Sequence, residues 1–348
     1  MLVPVATQGQ SFHLWQENCR GRQDQPDQRI SAIGLPSLRG LRERPLGTAG
    51  PVDRATPDQV EEDMTALTRA QVESYHHNGY LFPFPALSEE ERLACLAGLE
   101  RYERWLGKPV PQADLRWRTQ PHALLPWYAD LVRHPRILDV VEQLIGPDIL
   151  VWTGTFFIKE PSSPTFAAWH QDSTYFGLEP YDQVTAWVAL TDASAEAGCM
   201  EVLSAHGAPR QMYHAPLRLE NSINRAGQTI TEPLDEAGAT AMQLKAGSFS
   251  LHHTLCVHRS APNRAAHRRV GLGINYIPAH VRPTAPFRMS AFLARGTDKY
   301  GHFDLYDAPT VEFDATALAT HEKIYSRYAE NYREQVKRHE RQFATERV

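Results

Sequence analysis

One short stretch, Trp169-His170-Gln171-Asp172, constrains what this chain can fold into more than any other. It closes a proline-bearing loop (160–168) that follows the apolar, β-rich run 149–159. Side chains on a strand alternate faces with period two, so His170 and Asp172 are expected to project the same way. An imidazole beside a carboxylate is half of a metal site, or else a hydrogen-bonded pair. A redox metal held on one face needs a second imidazole and leaves the opposite positions open. The fold must then bring a distant histidine to the same interior.

The surrounding pattern supplies such a fold. From residue 149 onward, short runs rich in β-branched and aromatic residues recur at 149–159, 184–190, 200–203, 241–244, 248–253 and 270–277, separated by Gly, Pro, Asp and Asn. Short strands at this density, with no helix between them, predict a sandwich or jelly roll rather than a parallel sheet. Helices precede them. Thr68 with Gln71 and Ser88 with Glu91 form capping boxes, ended by Asn78-Gly79 and by Gly107. A third helix starts near Pro135 and stops at Gly146, and Tyr80-Leu81-Phe82 between the first two reads as a strand halted by Pro83 and Pro85. The fold class is therefore mainly β with flanking helices. Residues 1–64 read as a flexible N-terminal extension, 65–310 as the β domain with its covering helices, and 311–348 as a C-terminal helix. Leu318, Ile324, Tyr325, Tyr328 and Tyr332 form the apolar face of that helix, suited to packing on the domain or on a second copy in a homodimer.

Among 16 histidines, His252, His253 and His258 are the candidates for the second imidazole. The segment that follows favours His258: a turn at Ala261-Pro262-Asn263, then a returning strand that opens with Arg269. That arrangement sets a cation near the metal, where a dicarboxylate's far end can be gripped by two parallel hydrogen bonds. Adjacent strand residues face opposite ways, so only one of Arg268 and Arg269 can point inward, and the spacing favours Arg269.

Trp169-His170-Gln171-Asp172, Thr185-Ala186-Trp187, Leu190-Thr191-Asp192, Gly198-Cys199-Met200 and His258-Arg259-Ser260-Ala261-Pro262-Asn263 with Arg269 together resemble the phytanoyl-CoA dioxygenase family, over roughly residues 68–280. The resemblance implies a double-stranded β-helix (jelly roll, cupin-like) with iron(II), 2-oxoglutarate as cosubstrate and O2. It implies His170, Asp172 and His258 as iron ligands, Arg269 on the distal carboxylate of 2-oxoglutarate, and Ser260 as its hydroxyl helper. Trp187 and Phe156 are then expected to line the cosubstrate pocket, with Arg118 within reach of it. Lys159, Tyr175 and Phe176 lie near enough in sequence to touch substrate. The implied reaction hydroxylates a small or medium organic molecule of specialised metabolism while 2-oxoglutarate is oxidised to succinate and CO2. Halogenating relatives carry a small residue where Asp172 stands, which counts against halogenation here. The alternative is a metal-binding jelly roll without oxygen chemistry: an isomerase, hydrolase or ligand-binding module.

Composition narrows the partners. The formal charge is −5 with no basic block, so nucleic acid is not an expected partner. No apolar run reaches the length of a membrane span, and residues 1–10 lack the pattern of a signal peptide. The four cysteines form no CxxC pair, so neither a zinc site nor a disulfide framework is expected, and the cytoplasm is the default setting.

Overall fold

The computed structural model describes residues 66–217, 219–224 and 228–344. The expected N-terminal extension, 1–64, lies outside the described residues. Fifteen strands are defined among the described residues: β1 (Tyr80–Pro85), β2 (Ile149–Lys159), β3 (Ala167–His170), β4 (Leu178–Glu179), β5 (Val184–Ala189), β6 (Met200–Leu203), β7 (His214–Pro216) and β8 (Gln228–Ile230) come first. They are followed by β9 (Thr240–Met242), β10 (Ser248–His253), β11 (Val257–Ser260), β12 (Arg269–Pro278), β13 (Arg282–Pro283), β14 (Met289–Arg295) and β15 (Phe303–Leu305). The α-helices are α1 (Arg69–Asn78), α2 (Glu89–Leu106), α3 (Pro126–Leu131), α4 (Pro135–Ile145) and α5 (Ala315–Ala344).

A large sheet has the order β1-β10-β5-β12-β2-β14-β15, and a smaller one the order β3-β11-β6-β9. Neighbours in the smaller sheet, and all but the β14–β15 pair of the larger, run antiparallel. Apolar residues of β2, β5, β6 and β9 (Phe157, Trp187, Ala189, Met200, Val202 and Met242) pack into one cluster between the two sheets. This is the double-stranded β-helix with flanking helices.

The two faces of the large sheet differ because alternate residues face opposite ways. On β2, Phe156 and Ile158 point outward into the main core, where Leu99, Tyr102, Tyr128 and Val141 of the covering helices meet them. Phe156 sits 5.4 Å from Tyr128 and 5.8 Å from Tyr102 by ring centroids. Burying each such side chain stabilises the fold by about 1.5–3 kcal/mol. The helices begin and end where their caps dictate. Thr68 and Ser88 make both halves of their capping boxes, and Gly79 and Gly107 close α1 and α2 in the left-handed conformation.

Two local expectations change. Strand β1 runs through Pro83 to Pro85 rather than stopping at Pro83. It is an edge strand with a register shift between Leu81 and Phe84, so the missing N–H of Pro83 costs no ladder bond. Asp172 is not on a strand: β3 ends at His170, and Asp172 opens a 3-10 turn, Asp172–Tyr175. No helix among the described residues is long and apolar enough to cross a membrane.

Candidate metal centre

His170 closes β3, His258 lies on β11 directly opposite it, and the turn after β3 brings Asp172 back beside both. One ligand atom from each of the three residues lies within 4.8 Å of the others. Asp172 Oδ1 is 3.9 Å from Nε2 of His170 and 3.9 Å from Nε2 of His258. Each imidazole is fixed by its own backbone: His170 Nδ1–H donates to the Ala168 carbonyl at 2.8 Å, and His258 Nδ1–H to the Cys256 carbonyl at 3.0 Å. That tautomer leaves the Nε2 lone pairs turned toward Asp172, as a ligating histidine requires. Burial lowers the pKa of both imidazoles and keeps them neutral.

Asp172 is held by its other oxygen. Oδ2 accepts from Thr185 Oγ1 at 3.0 Å and from His252 Nε2 at 3.3 Å, and Asn275 Nδ2 in turn donates to Thr185 Oγ1 at 2.5 Å. Burial by itself would raise the carboxyl pKa. The hydrogen bond from His252 and the surrounding imidazoles outweigh it and hold Asp172 well below the usual carboxylate range. Two neutral nitrogens and one anionic oxygen, converging from one side, are a donor set that fits a divalent redox metal. His252, weighed in the sequence as a rival ligand, instead faces the same interior and orients the carboxylate. Thr185 belongs to the Thr185-Ala186-Trp187 motif, and only the cross-strand register shows why it matters.

The cation stands on the same interior face. Arg269 opens β12 and is 2% exposed. Its guanidinium donates to the Gly198 carbonyl and lies 5.2 Å over the Trp187 ring, while its Nε has no partner among the described residues. No carboxylate among the described residues lies within ion-pair distance of it, and burial brings its pKa down to about 10. Its neighbour Arg268 faces out and pairs with Glu103 and Glu160. Glycines on the inward positions of β12 keep this face open. A Cβ at Gly271 would collide with the Trp187 ring, and one at Gly273 would come to 2.5 Å of Phe157.

Lys159, expected to touch substrate, lies in cross-strand register with Arg269 and is fully buried. Its Nζ donates to Ser260 Oγ at 2.8 Å and to the carbonyls of Ser260 and Ala261 at 3.2 and 2.5 Å. Burial, and then the charge of Arg269, push its pKa down to about 6. Lys159 therefore braces the turn after His258 and ties Ser260 to the cationic end of the interior.

Three expected site residues pack elsewhere. Phe156 faces the helical layer, and the aromatic residue beside Trp187 is Phe157: neighbouring positions on one strand, opposite faces. Tyr175 and Phe176 lie on and just past the 3-10 turn, where strand alternation has ended. The Tyr175 ring packs 5.0 Å from Tyr332 of α5, and Phe176 packs at the edge of the Trp152 cluster. Arg118 lies on a 3-10 turn and donates to the Pro111 carbonyl, and no hydrogen bond or ion pair among the described residues links it to His170, Asp172, His258 or Arg269.

A jelly-roll interior with a His-Asp-His cluster and an unpaired buried arginine defines a class of metal-dependent oxygenase. Comparison with known proteins narrows it: the chain belongs to the phytanoyl-CoA dioxygenase family, whose profile matches residues 75–271. It is similar to ectoine dioxygenase of Streptomyces avermitilis, 25% identical over 247 residues, 65% of this chain and 82% of that protein. Among solved structures it is similar to the non-heme monooxygenase ThoJ in its apo form, 32% identical with a TM-score of 0.68 over 77% of this chain and 99% of that one. CytC3 with Fe(II) and alpha-ketoglutarate shares the fold at 19% identity and a TM-score of 0.54, over 70% of this chain and 95% of that one. The chain is an Fe(II)/2-oxoglutarate-dependent dioxygenase acting on a small molecule.

Proposed function

We propose that His170, Asp172 and His258 hold the iron and that Arg269 receives the distal carboxylate of 2-oxoglutarate. One observation carries this reading: a buried guanidinium with no carboxylate of the described residues beside it, on the same interior face as three convergent ligand atoms. A buried unpaired cation is costly, and a bound anion removes that cost. Trp187 forms the wall against which the arginine stacks. Ser260, held by Lys159, supplies a hydroxyl at the same end.

Iron(II) bound at this triad, with 2-oxoglutarate and O2, supplies the oxidising power that hydroxylates a substrate C–H bond while the keto acid leaves as succinate and CO2. The chain's own part is placement and charge. Two neutral imidazoles and one carboxylate leave the metal a net positive charge that favours the keto acid's anionic end. Thr185 and His252 keep the second oxygen of Asp172 occupied, so the carboxylate presents one oxygen to the metal. Packing between the two sheets keeps bulk water from the cationic end. Purified protein should release succinate only with both Fe(II) and 2-oxoglutarate, and His170→Ala should abolish this. Equal release from the variant would refute the ligand assignment.

A further inference from the structure

Beside its apolar residues Leu318, Ile324, Tyr328 and Tyr332, the long helix α5 buries a row of polar ones. Asn331, Gln335 and His339, four residues apart, are 1%, 6% and 4% exposed. Buried polar groups persist only when bonded, and all three are bonded around the segment that carries Asp172. Asn331 Nδ2 donates to the Phe176 carbonyl at 2.8 Å. Gln335 Nε2 donates to Asn331 Oδ1 at 3.1 Å and to Thr284 Oγ1 at 3.2 Å. Its side chain lies so closely over Gly177 that a Cβ there would collide with it, and Gly177 has φ +64.

His339 reaches further. Its Nε2 accepts from the backbone N–H of His214 at 2.9 Å. The His214 ring, itself fully buried, donates Nδ1–H to the Met212 carbonyl at 2.9 Å. Its Nε2 lone pair is thereby left to accept from the Gln171 N–H at 2.8 Å. Gln171 is the residue between His170 and Asp172. Its side chain is anchored as well, accepting from the Met212 N–H at 2.8 Å and donating to the Arg210 and Leu255 carbonyls at 2.8 and 2.7 Å. Both relay histidines must be neutral to accept, and burial, which lowers His214 to about 3 and His339 to about 4, keeps them so.

We propose that α5 is a positioning element of the metal centre: His339, through His214, fixes the Gln171 peptide, while Asn331 and Gln335 fix the turn that leaves Asp172. Ligating atoms need to be held within about 0.5 Å of their working geometry, and the peptide between two ligands sets their separation. The inference rests on His170 and Asp172 being ligands.

His321, also on α5, is the internal control. It is 1% exposed and bonded to the Thr119 carbonyl at 2.9 Å, but it docks on the covering layer, stacked on Trp117. The test is an anaerobic Co(II) titration of the full chain, followed by the visible spectrum of the bound ion. His339→Ala is expected to weaken Co(II) about tenfold, the lower end of what outer partners of metal ligands contribute. His339→Gln, whose side-chain oxygen can accept the same N–H, should recover most of the loss. His321→Ala should leave Co(II) affinity at the wild-type value even if it lowers Tm as much. Where His339→Ala yields no folded protein, Asn331→Ser is titrated in its place, with weakened Co(II) expected. Unchanged Co(II) affinity in the His339→Ala or Asn331→Ser protein overturns the proposal, as does an equal loss in His321→Ala. Wild-type protein that binds no Co(II), or binds it equally well after His170→Ala, overturns the ligand assignment and this inference together.

Discussion

The two faces of the large sheet use the same strands for different ends. Outward, Phe156 and Ile158 of β2 and Leu272 and Ile274 of β12 meet the helices in a continuous apolar core. Inward, the alternate residues of those strands and of β5 and β10 include Lys159, Arg269, Thr185, Ser250 and His252, and three of their polar atoms have no hydrogen-bond partner among the described residues: Arg269 Nε, His252 Nδ1 and Ser250 Oγ. One face stores stability and the other stores unmet bonding capacity. The parity of the residue number decides which, so a one-residue step along β2 separates a core residue from a site residue.

Substitutions across that divide test it, beginning with the largest expected effect. Phe156→Ala should cost about 3–5 kcal/mol in chemical denaturation, as expected for a buried aromatic residue, while leaving the KM for 2-oxoglutarate unchanged. Phe157→Ala should raise that KM, and a reversed pattern would break the assignment of faces. Arg269→Ala should weaken 2-oxoglutarate by about 2–5 kcal/mol, roughly 30- to 4,000-fold, the range for truncating one partner of a buried charge pair. Isothermal titration of the metal-loaded protein reads this directly. Arg269→Lys should restore only part, because an ammonium lacks the planar fork. Thr185→Val removes one hold on Asp172 and should weaken Co(II) about tenfold, and it should also lower Tm, because the buried Asn275 amide loses its acceptor.

The smallest expected effect is on acid stability. Burial lowers the folded-state pKa of His214 to about 3 and of His339 to about 4, against about 6.5 in an unfolded chain. Between those limits the unfolded chain takes up protons that the folded one refuses, so these residues make stability fall as pH drops from about 6.5 toward 4. Tm measured across that window should decline less steeply in His339→Gln than in the wild type. Parallel slopes would show that burial does not lower the folded-state pKa of His339.

Much of this was legible in the sequence, and what was not has physical causes. Strand runs, capping boxes and the Gly stops of α1 and α2 were local signals, and they fixed the element pattern. His170, Asp172, His258 and Arg269 stood out because a motif and a turn mark them. Phe156 was misplaced because two adjacent phenylalanines carry no sign of which faces the interior; only the register of β2 against β12 settles it. Tyr175 and Phe176 were expected at the site because they follow Asp172 closely in sequence, but the chain turns there into a 3-10 helix and their rings pack on Tyr332 and at the edge of the Trp152 cluster. The polar face of α5 was hidden because helical periodicity marks apolar stripes, and Asn331, Gln335 and His339 look like solvated residues until their partners on the 171–177 segment and at Thr284 and His214 are known.

The central claim, that the His170-Asp172-His258 face and Arg269 form one iron and 2-oxoglutarate site, has a direct test. Anaerobic addition of Fe(II) and then 2-oxoglutarate to the purified protein should raise a visible metal-to-ligand charge-transfer band. That band should be absent in Asp172→Ala, and in Arg269→Ala it should require much more 2-oxoglutarate. A wild-type protein that binds Fe(II) yet shows no band at saturating 2-oxoglutarate, or an undiminished band in Asp172→Ala, would contradict the account.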